Sequence, residues 1–174
     1  MADTTGTTGT TVTNKPSTTI HTYLGYAEAT GSISANTAFT KLVSIKDFPD
    51  LGGAPDQVEI TDLDDDVQKF LLGVQSMSSL EFTANYVPAN YDKLTGTGTG
   101  NTTNHTDGDI RKYCVAFGQN GEYGVFSWEG QLSVWVVGGG VNAAREMKIS
   151  ISAASKVQKL GTFSVGSGVT PYNY

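Results

Sequence analysis

The sequence predicts a mainly β fold, built from short strands joined by turns rich in glycine and proline. Two segments, Ser79–Tyr86 and Glu146–Ala153, alternate apolar and polar residues with the period of two that turns one face of a strand toward a core and the other toward solvent. Charged residues make up only 16% of the 174 residues, while Thr, Ser and Gly are abundant, and this composition favours sheets with uncharged polar surfaces. A chain of this length buries about 68–70% of its unfolded surface, enough for a core without disulfides.

The N-terminal third of the chain predicts an arm followed by two strands. Residues 1–17 are rich in Thr and Gly and too poor in apolar side chains to offset their ordering entropy, so we expect a flexible N-terminal arm. Residues 18–174 are expected to form a single β domain. Strands are predicted at Ile20–Tyr26 and within Phe39–Phe48, where Pro and Gly residues end the second one.

A long hairpin with an acidic tip is predicted next. Its strands are Gln57–Thr61, with Val58 and Ile60 on one face, and Val67–Leu72. The turn between them carries a cluster of aspartates: Asp62, Asp64, Asp65 and Asp66.

The aspartate spacing is similar to the beginning of a calcium-binding loop. Such a loop needs Gly at its sixth position and Glu at its twelfth, and this chain has Val67 and Gly73 there. A solvated acidic tip is therefore preferred to a metal site, and no metal or cofactor is predicted.

Ser79–Tyr86 is the clearest strand in the sequence. Its apolar face carries Leu80, Phe82, Ala84 and Tyr86, and its polar face carries Glu81, Thr83 and Asn85. Pro88 ends the strand, and Pro88–Leu94 is predicted to form a helical turn or a short helix.

The C-terminal half predicts a loop followed by a series of strands. Thr95–Asp109 is a low-complexity Thr/Gly segment, expected to be a mobile loop. Predicted strands follow, separated by Gly-containing turns with a hairpin signal at Asn120-Gly121: Ile110–Phe117, Tyr123–Trp128, Gln131–Val137, Glu146–Ala153 and Leu160–Val165. In the strand Glu146–Ala153, the polar face carries Glu146, Lys148, Ser150 and Ser152.

The charge of the chain argues against tight binding of nucleic acid. The net charge is −6, with only 11 Lys and Arg residues and no basic block. Duplex DNA is a dense polyanion, and proteins that grip it do so with clustered Lys and Arg. A channel through which DNA slides without sticking remains compatible with this charge.

The residues that could carry chemistry form no catalytic motif, and no enzymatic activity is predicted. His21 lies at the start of a strand and His105 lies in the Thr/Gly loop. Cys114 lacks a cysteine-enzyme signature, and Gly138–Gly140 lacks the Lys-Ser/Thr of a phosphate-binding loop.

A group of aromatic residues has two interpretations. It comprises Tyr123, Phe126, Trp128 and Trp135. Because these residues alternate within strands, a core or a subunit interface is preferred to a platform for stacked bases or sugars.

The cellular context suggested by the sequence is the reducing cytoplasm. The single cysteine excludes an intrachain disulfide, the first residues lack the pattern of a secretory signal, and no apolar run approaches the ~20 residues that span a bilayer. We expect a protein that is soluble when synthesised.

Two segments resemble a known family. Phe48–Tyr86 reads FPDLGGAPDQVEITDLDDDVQKFLLGVQSMSSLEFTANY, and Gly138–Ala153 reads GGGVNAAREMKISISA. Their order, with a D-L-G-G-x-P turn, an L-E-F-T-A-N-Y strand and a G-V-N before an alternating strand, resembles the major tail tube proteins of long-tailed (siphovirus-type) bacteriophages. The resemblance covers roughly Phe39–Ala153.

The resemblance implies a β-sandwich or partial barrel with a short flanking helix, assembled into stacked hexameric rings around a closed inner β-barrel. The implied role is a structural virion protein that forms the tail tube, through which double-stranded DNA passes without specific binding. The implied partners are further copies of the chain, the tape-measure protein, and tail terminator and initiator proteins. The implied location is the virion tail, after assembly in the host cytoplasm.

The resemblance also assigns roles to residues. The polar strand faces, Glu81, Thr83, Asn85, Glu146, Lys148, Ser150 and Ser152, become candidates for the lumen wall. The aspartates of the hairpin tip, Asp62, Asp64, Asp65 and Asp66, become candidates for contacts between rings. Lys148 departs from a purely acidic wall, and pairing with a nearby carboxylate is one explanation.

Two other functions remain open from the sequence. The same subunit would serve in a headless, phage-tail-like bacteriocin. A monomeric β-sandwich module that binds carbohydrate or a host surface would instead present the aromatic residues as an exposed patch.

Overall fold

The computed structural model describes residues 18–28, 32–77, 79–99 and 103–164. The predicted flexible arm, 1–17, lies outside these residues, as does Val165 at the end of the last predicted strand. The described residues form these elements in chain order: β1 (Thr22–Ala27), β2 (Ala38–Ser44), β3 (Gln57–Glu59), β4 (Phe70–Leu72), β5 (Leu80–Asn85), α1 (Pro88–Thr95), β6 (Arg111–Phe117), β7 (Gly124–Val136), β8 (Glu146–Ala153), β9 (Gln158–Lys159) and β10 (Thr162–Ser164).

One large sheet carries most of the strands, in the order β10-β2-β1-β6-β7-β8-β5, and β9 pairs with β7 beside this path. Neighbouring strands are antiparallel, except that β10 runs parallel to β2. The segment after β2 crosses to β5, where Asp47 and Thr83 form a single antiparallel bridge. The sheet therefore curls back toward its own edge without closing, and the prediction of a mainly β fold with one short helix is confirmed.

The long strand β7 joins the two halves of this sheet. Its first half pairs with β6 and its second half pairs with β8. The sequence predicted two strands here, Tyr123–Trp128 and Gln131–Val137, with a turn between them, and that prediction was wrong. Gly130 pairs with Arg111 on one side and with Ala153 on the other, so the glycine continues the ladder instead of ending it.

The core lies on the apolar faces of β5, β7 and β8 and continues into β1, β2 and β6. At its centre the rings of Phe82 and Trp128 stack with centroids 6.0 Å apart, and both side chains are fully buried. The alternation that identified Ser79–Tyr86 and Glu146–Ala153 as strands therefore reflects a real boundary between core and solvent.

The helix α1 covers part of this core. Pro88 occupies its first turn, where a missing N–H costs nothing, and Gly96 ends it in the left-handed conformation at φ 68°. Leu94 is fully buried, and the ammonium of Lys93 donates hydrogen bonds to the carbonyls of Lys41 and Leu42 in β2. In the described part of the chain, no helix has the length and apolar character needed to cross a membrane.

The segment 103–109 differs from its prediction. It was expected to belong to a mobile loop, but His105 is only 1% exposed. Its backbone N–H donates to the carbonyl of Leu94, and its ring meets the ring of Tyr26 edge-on at 4.6 Å. Arg111 anchors the segment through a two-pronged hydrogen bond to Asp107, so these residues are packed against α1 and the sheet.

Candidate functional site

The polar side chains predicted on two separate strands lie on one continuous face. β5 and β8 are antiparallel neighbours, and their register pairs Glu81 with Ser150, Thr83 with Lys148 and Asn85 with Glu146. Paired residues in an antiparallel ladder point to the same side of the sheet. We call this surface the polar face; its members from β5 and β8 are Glu81, Thr83, Asn85, Glu146, Lys148, Ser150 and Ser152.

β7 extends the polar face with residues that were not among the predicted set. Gln131 pairs with Ser152, Ser133 pairs with Ser150, and Trp135 pairs with Lys148. Their alternation is visible in the sequence, but only the register of β7 against β8 shows that they continue the same surface.

The charges of the polar face are paired. Lys148 forms an ion pair with Glu81, which explains why a lysine stands in a wall predicted to be acidic. Lys46, which sequence reasoning missed, forms an ion pair with Glu146. Both pairs are partly exposed, where such pairs contribute about 0–1 kcal/mol, so their main effect is to cancel the charge of the face.

The outer edge of β5 is only partly covered. The backbone carbonyl of Thr83 accepts hydrogen bonds from the N–H groups of Lys46 and Asp47, and the N–H of Thr83 donates to the carbonyl of Asp47. The ladder does not extend from this bridge along the rest of β5. An edge strand of this kind offers backbone groups to a further strand.

The predicted hairpin is confirmed as a separate two-stranded sheet, β3–β4. Its register pairs Gln57 with Leu72 and Glu59 with Phe70, and every residue of both strands is exposed. Large apolar side chains along the hairpin are accordingly open to solvent: Val58, Ile60, Leu63, Val67, Phe70, Leu71, Leu72 and Val74. An isolated hairpin of this kind is marginal in water, so this surface is suited to contact with another molecule.

The aspartates of the hairpin tip fall into two groups. Asp62 and Asp65 shape the turn: a carboxylate oxygen of Asp62 accepts the N–H of Asp64, and Asp65 accepts the N–H of Asp62 and pairs with Lys69. The carboxylates of Asp64 and Asp66 are exposed and form no hydrogen bond or ion pair with the described residues. Among the residues that the structure describes, no group of three or more His, Cys, Asp or Glu side chains is arranged to hold a metal ion.

The aromatic residues are divided between core and surface. Trp128 is fully buried, whereas Trp135 and Tyr123 are 41% and 44% exposed. Phe126 is half-buried and packs against Phe117 with ring centroids 5.6 Å apart. Trp128 therefore lies in the core, as the sequence predicted, while Trp135 belongs to the polar face.

Two of the residues considered for catalysis, Cys114 and His105, are buried. Cys114 is fully buried, and burial raises the pKa of its thiol far above the usual range. Burial, together with the charges of Arg111 and Lys93, lowers the pKa of His105 to about 4. His21 is exposed just before β1, with its ring nitrogen 3.3 Å from the hydroxyl of Tyr23.

Comparison with known proteins shows a structural likeness without a detectable sequence relationship. No protein-family model and no curated protein sequence matches this chain. Among solved structures, the fold is similar to a chain in the tail of an empty gene transfer agent (GTA) particle, refined with helical and C6 symmetry, at a TM-score of 0.54 and 14% identity. The match covers 80% of this chain and 95% of the other, so the two share a fold over most of their length.

Proposed function

We propose that this chain is a structural subunit of the tail tube of a bacteriophage or a related phage-like particle. The observation that carries the proposal is the continuous polar face, which lies opposite the core and belongs to a fold shared with a chain of a C6-symmetric tail. In the proposed assembly, copies of the chain form hexameric rings, and the rings stack into a tube that serves as the conduit for the genome.

The polar face is the proposed wall of the lumen. A wall of hydroxyl and amide groups, with its carboxylates paired to Lys46 and Lys148, carries little net charge. Proteins bind duplex DNA mainly through Lys and Arg side chains, which replace the counterions of its phosphates. Such a wall offers few free Lys or Arg side chains. Double-stranded DNA therefore passes without being held, and the tape-measure protein occupies the same space before it.

The edges and the hairpin are the proposed assembly surfaces. Ring closure covers the part of the β5 edge that the Asp47–Thr83 bridge leaves open, and it removes backbone groups that would otherwise invite uncontrolled pairing. The tip with Asp62, Asp64, Asp65 and Asp66 contacts a neighbouring ring. The remaining proposed partners are tail terminator and initiator proteins, and the protein acts without catalysis, in the virion tail after assembly in the host cytoplasm.

Electron microscopy of the purified, concentrated protein tests this function directly. We expect rings with six-fold symmetry or hollow tubes in negative stain, alone or after addition of tail-initiating proteins. A protein that stays monomeric at high concentration, with and without those partners, would refute the proposal.

Cysteine labelling tests which face lines the lumen. The chain has one cysteine, Cys114, which is buried, so a cysteine introduced at Ser150 provides the reactive thiol. A bulky maleimide-PEG reagent should label Ser150→Cys in the free subunit and fail to label it inside tubes. The matched control is Asn36→Cys, which is exposed in the β1–β2 connection; equal labelling of Ser150→Cys in tubes and in free subunits would exclude the polar face from the lumen.

A further inference from the structure

The sheet is buried on both of its faces where β6 crosses it. In this strand Tyr113 and Val115 pack into the main core, while Cys114 and Ala116 point to the opposite side. A second apolar cluster lies on that side, and we call it the outer cluster. Its buried members are Ala27, Phe39, Cys114, Ala116, Val125 and Phe163.

A short segment near the end of the described chain covers the outer cluster. It comprises residues 156–164, which include β9 and β10, and we call it the strap. β9 joins the strap to β7 through two residue pairs, and β10 joins it to β2 through three. Most of its side chains point to solvent, and Phe163, which is 8% exposed, is its buried anchor. Few contacts therefore hold the strap over a cluster that it hides from water.

The ring of Phe163 fits a socket that glycines leave open. A Cβ atom at Gly25 would lie 2.8 Å from this ring and 2.9 Å from the Sγ of Cys114, and a Cβ at Gly121 would lie 3.0 Å from the Cβ of Phe163. The ring also stacks on Tyr23, with centroids 5.8 Å and planes 8° apart. The thiol of Cys114 therefore lies in the floor of the socket, beneath the anchor.

The strap also guards one edge of the sheet. Without β10, the strand β2 would be the last in the strand order. Beyond Thr40, where β10 ends, the ammonium of Lys93 donates hydrogen bonds to the carbonyls of Lys41 and Leu42. A very short edge strand and a lysine at the edge are two devices that keep sheets from pairing with other chains. At the other end of the sheet, β5 is covered by a single bridge.

We propose that the strap opens and closes on the folded subunit, and that the closed strap locks the β2 edge out of pairing with other subunits. Segments held by few buried contacts open locally while the rest of a domain stays folded. Opening releases the two pairs of β9, the three pairs of β10 and the ring of Phe163. In the described part of the chain no element follows the strap, so nothing else has to move with it.

The two states differ in what they expose. The open state bares the β2 edge, the empty socket and the thiol of Cys114. The closed state leaves β5 as the less guarded end of the sheet, so that association proceeds from one edge only. This device belongs to the free subunit and goes beyond the proposed function.

The single cysteine of the chain reports the opening, because Cys114 is fully buried when the strap is closed. The labelling rate of the free subunit with DTNB is measured at increasing urea concentrations. Local opening exposes little surface, so the rate at low urea should barely change with urea and should rise steeply only where the whole protein unfolds. A rate that follows global unfolding from the lowest urea concentration would overturn the proposal.

Two glycines provide a matched pair of variants. Gly161 has a φ of 99°, and a Cβ added there would lie 2.5 Å from the ring of Phe39, so Gly161→Ala strains the closed strap. Gly108 has a φ of 87°, but nothing lies within 4 Å of a Cβ added there, and it lies outside the strap. Both variants carry backbone strain and lose global stability.

Only the variant in the strap should change the labelling. Without urea, Gly161→Ala should label Cys114 at least about tenfold faster than the wild type, because the strain favours the open state. Gly108→Ala should label at the wild-type rate. Equal rates in the two variants would show that the thiol is reached by another route, and the strap would not open on its own.

Removal of the anchor tests the lock on the β2 edge. Phe163→Ala should also label faster, and light scattering should show irregular association at concentrations where the wild type and Gly108→Ala remain dispersed. Faster labelling without added association would refute the lock. Chemical denaturation verifies folding, and Gly161→Ala takes the place of Phe163→Ala in the same measurement if the latter does not fold.

The labelling result is independent of tube formation. A wild type that forms neither rings nor tubes would refute the proposed function and leave the strap untouched. A wild type that forms tubes but shows no local opening would leave the function standing and refute the strap.

Discussion

Gly130 shows how one residue decides the continuity of a strand. A Cβ atom at this position would lie 2.6 Å from the carbonyl oxygen of Ser152 and 2.8 Å from a methyl carbon of Ile151. The absence of a side chain therefore lets β7 and β8 approach closely while the ladder runs through both. From the sequence alone, the same glycine indicated a turn.

We expect Gly130→Ala to lower the free energy of unfolding by about 1–3 kcal/mol, because the added methyl group overpacks the contact between β7 and β8. Chemical denaturation measures the change. Gly139→Ala is the matched control, since nothing lies within 4 Å of a Cβ added there. Equal stability of the two variants would show that β7 and β8 separate without cost.

His105 is a titratable residue buried between two aromatic rings. Tyr26 meets it at 4.6 Å and Tyr113 at 6.1 Å, measured between ring centroids. The charged groups around it are Arg111 and Lys93, which lower its pKa, and Asp107, which raises it. Burial has the largest effect, and the pKa of His105 in the folded protein is about 4.

This pKa predicts a pH dependence of stability. An unfolded histidine has a pKa of about 6.5, so between pH 6.5 and 4 the unfolded chain binds a proton that the folded chain does not. The stabilising contribution is complete above about pH 6.5 and is lost as the pH falls through this window, with a slope that approaches about 1.4 kcal/mol per pH unit.

The variant His105→Phe keeps an aromatic ring and removes the titration. Denaturation at several pH values should give a shallower decline for this variant than for the wild type between pH 6.5 and 4. His105→Gln, which also cannot titrate, should share the shallow slope even if it is less stable. Identical slopes in all three proteins would contradict the burial of His105.

At the scale of elements, the β3–β4 hairpin is a separate sheet that does not pair with the rest of the subunit. The N–H of Asp56 donates to the carbonyl of Val74, so the hairpin leaves the body at two adjacent points. Its strands are paired with each other only, and all of their residues are exposed. The hairpin therefore adds little to the stability of the free subunit.

Replacing residues 57–73 by an Asn-Gly turn should leave the subunit folded, with a melting temperature within a few degrees of the wild type, because the core keeps all of its side chains. Tube growth should be lost. Differential scanning calorimetry and electron microscopy measure the two effects. A variant that unfolds would show that the hairpin is needed for folding. A variant that assembles normally would show that the hairpin is not needed for tube growth.

At the scale of the whole molecule, the charge of the subunit disfavours tight binding of DNA. The net charge is −6; on the polar face Lys148 is paired with Glu81, and Glu146 is paired with Lys46. The surface proposed for the lumen thus combines hydrogen-bonding groups with almost no free positive charge.

Adding lysines to this face should make the assembly hold DNA. In the combined variant Asn85→Lys and Ser152→Lys, both changes fall on exposed positions of the polar face and break no ion pair. Tubes of this variant should retain short duplex DNA, protected from nuclease, at about 50 mM salt and release it near 200 mM.

The control for this experiment places the same charge elsewhere. Asn36→Lys with Thr40→Lys adds two lysines at exposed positions in and before β2. Any DNA bound to these tubes should remain open to nuclease. Equal protection in both variants, or no binding by either, would argue against the polar face as the lumen wall.

The sequence by itself determined the faces of individual strands. Ser79–Tyr86 and Glu146–Ala153 were predicted as alternating strands, and β5 and β8 occupy those segments. Alternation is a local property, because successive side chains of any strand point to opposite sides. The hairpin with the acidic tip and the short helix after Pro88 were likewise readable from local pattern and turn residues.

Only the tertiary structure decided how these faces combine. Glu81 and Lys148 are 67 residues apart, and Lys46 and Glu146 are 100 residues apart, so no local pattern reveals that they pair. The same holds for His105, whose segment is polar and glycine-rich yet is buried by rings and a helix end from other parts of the chain. Pairing and burial depend on contacts between distant segments, whereas a strand's two faces depend only on its own residues.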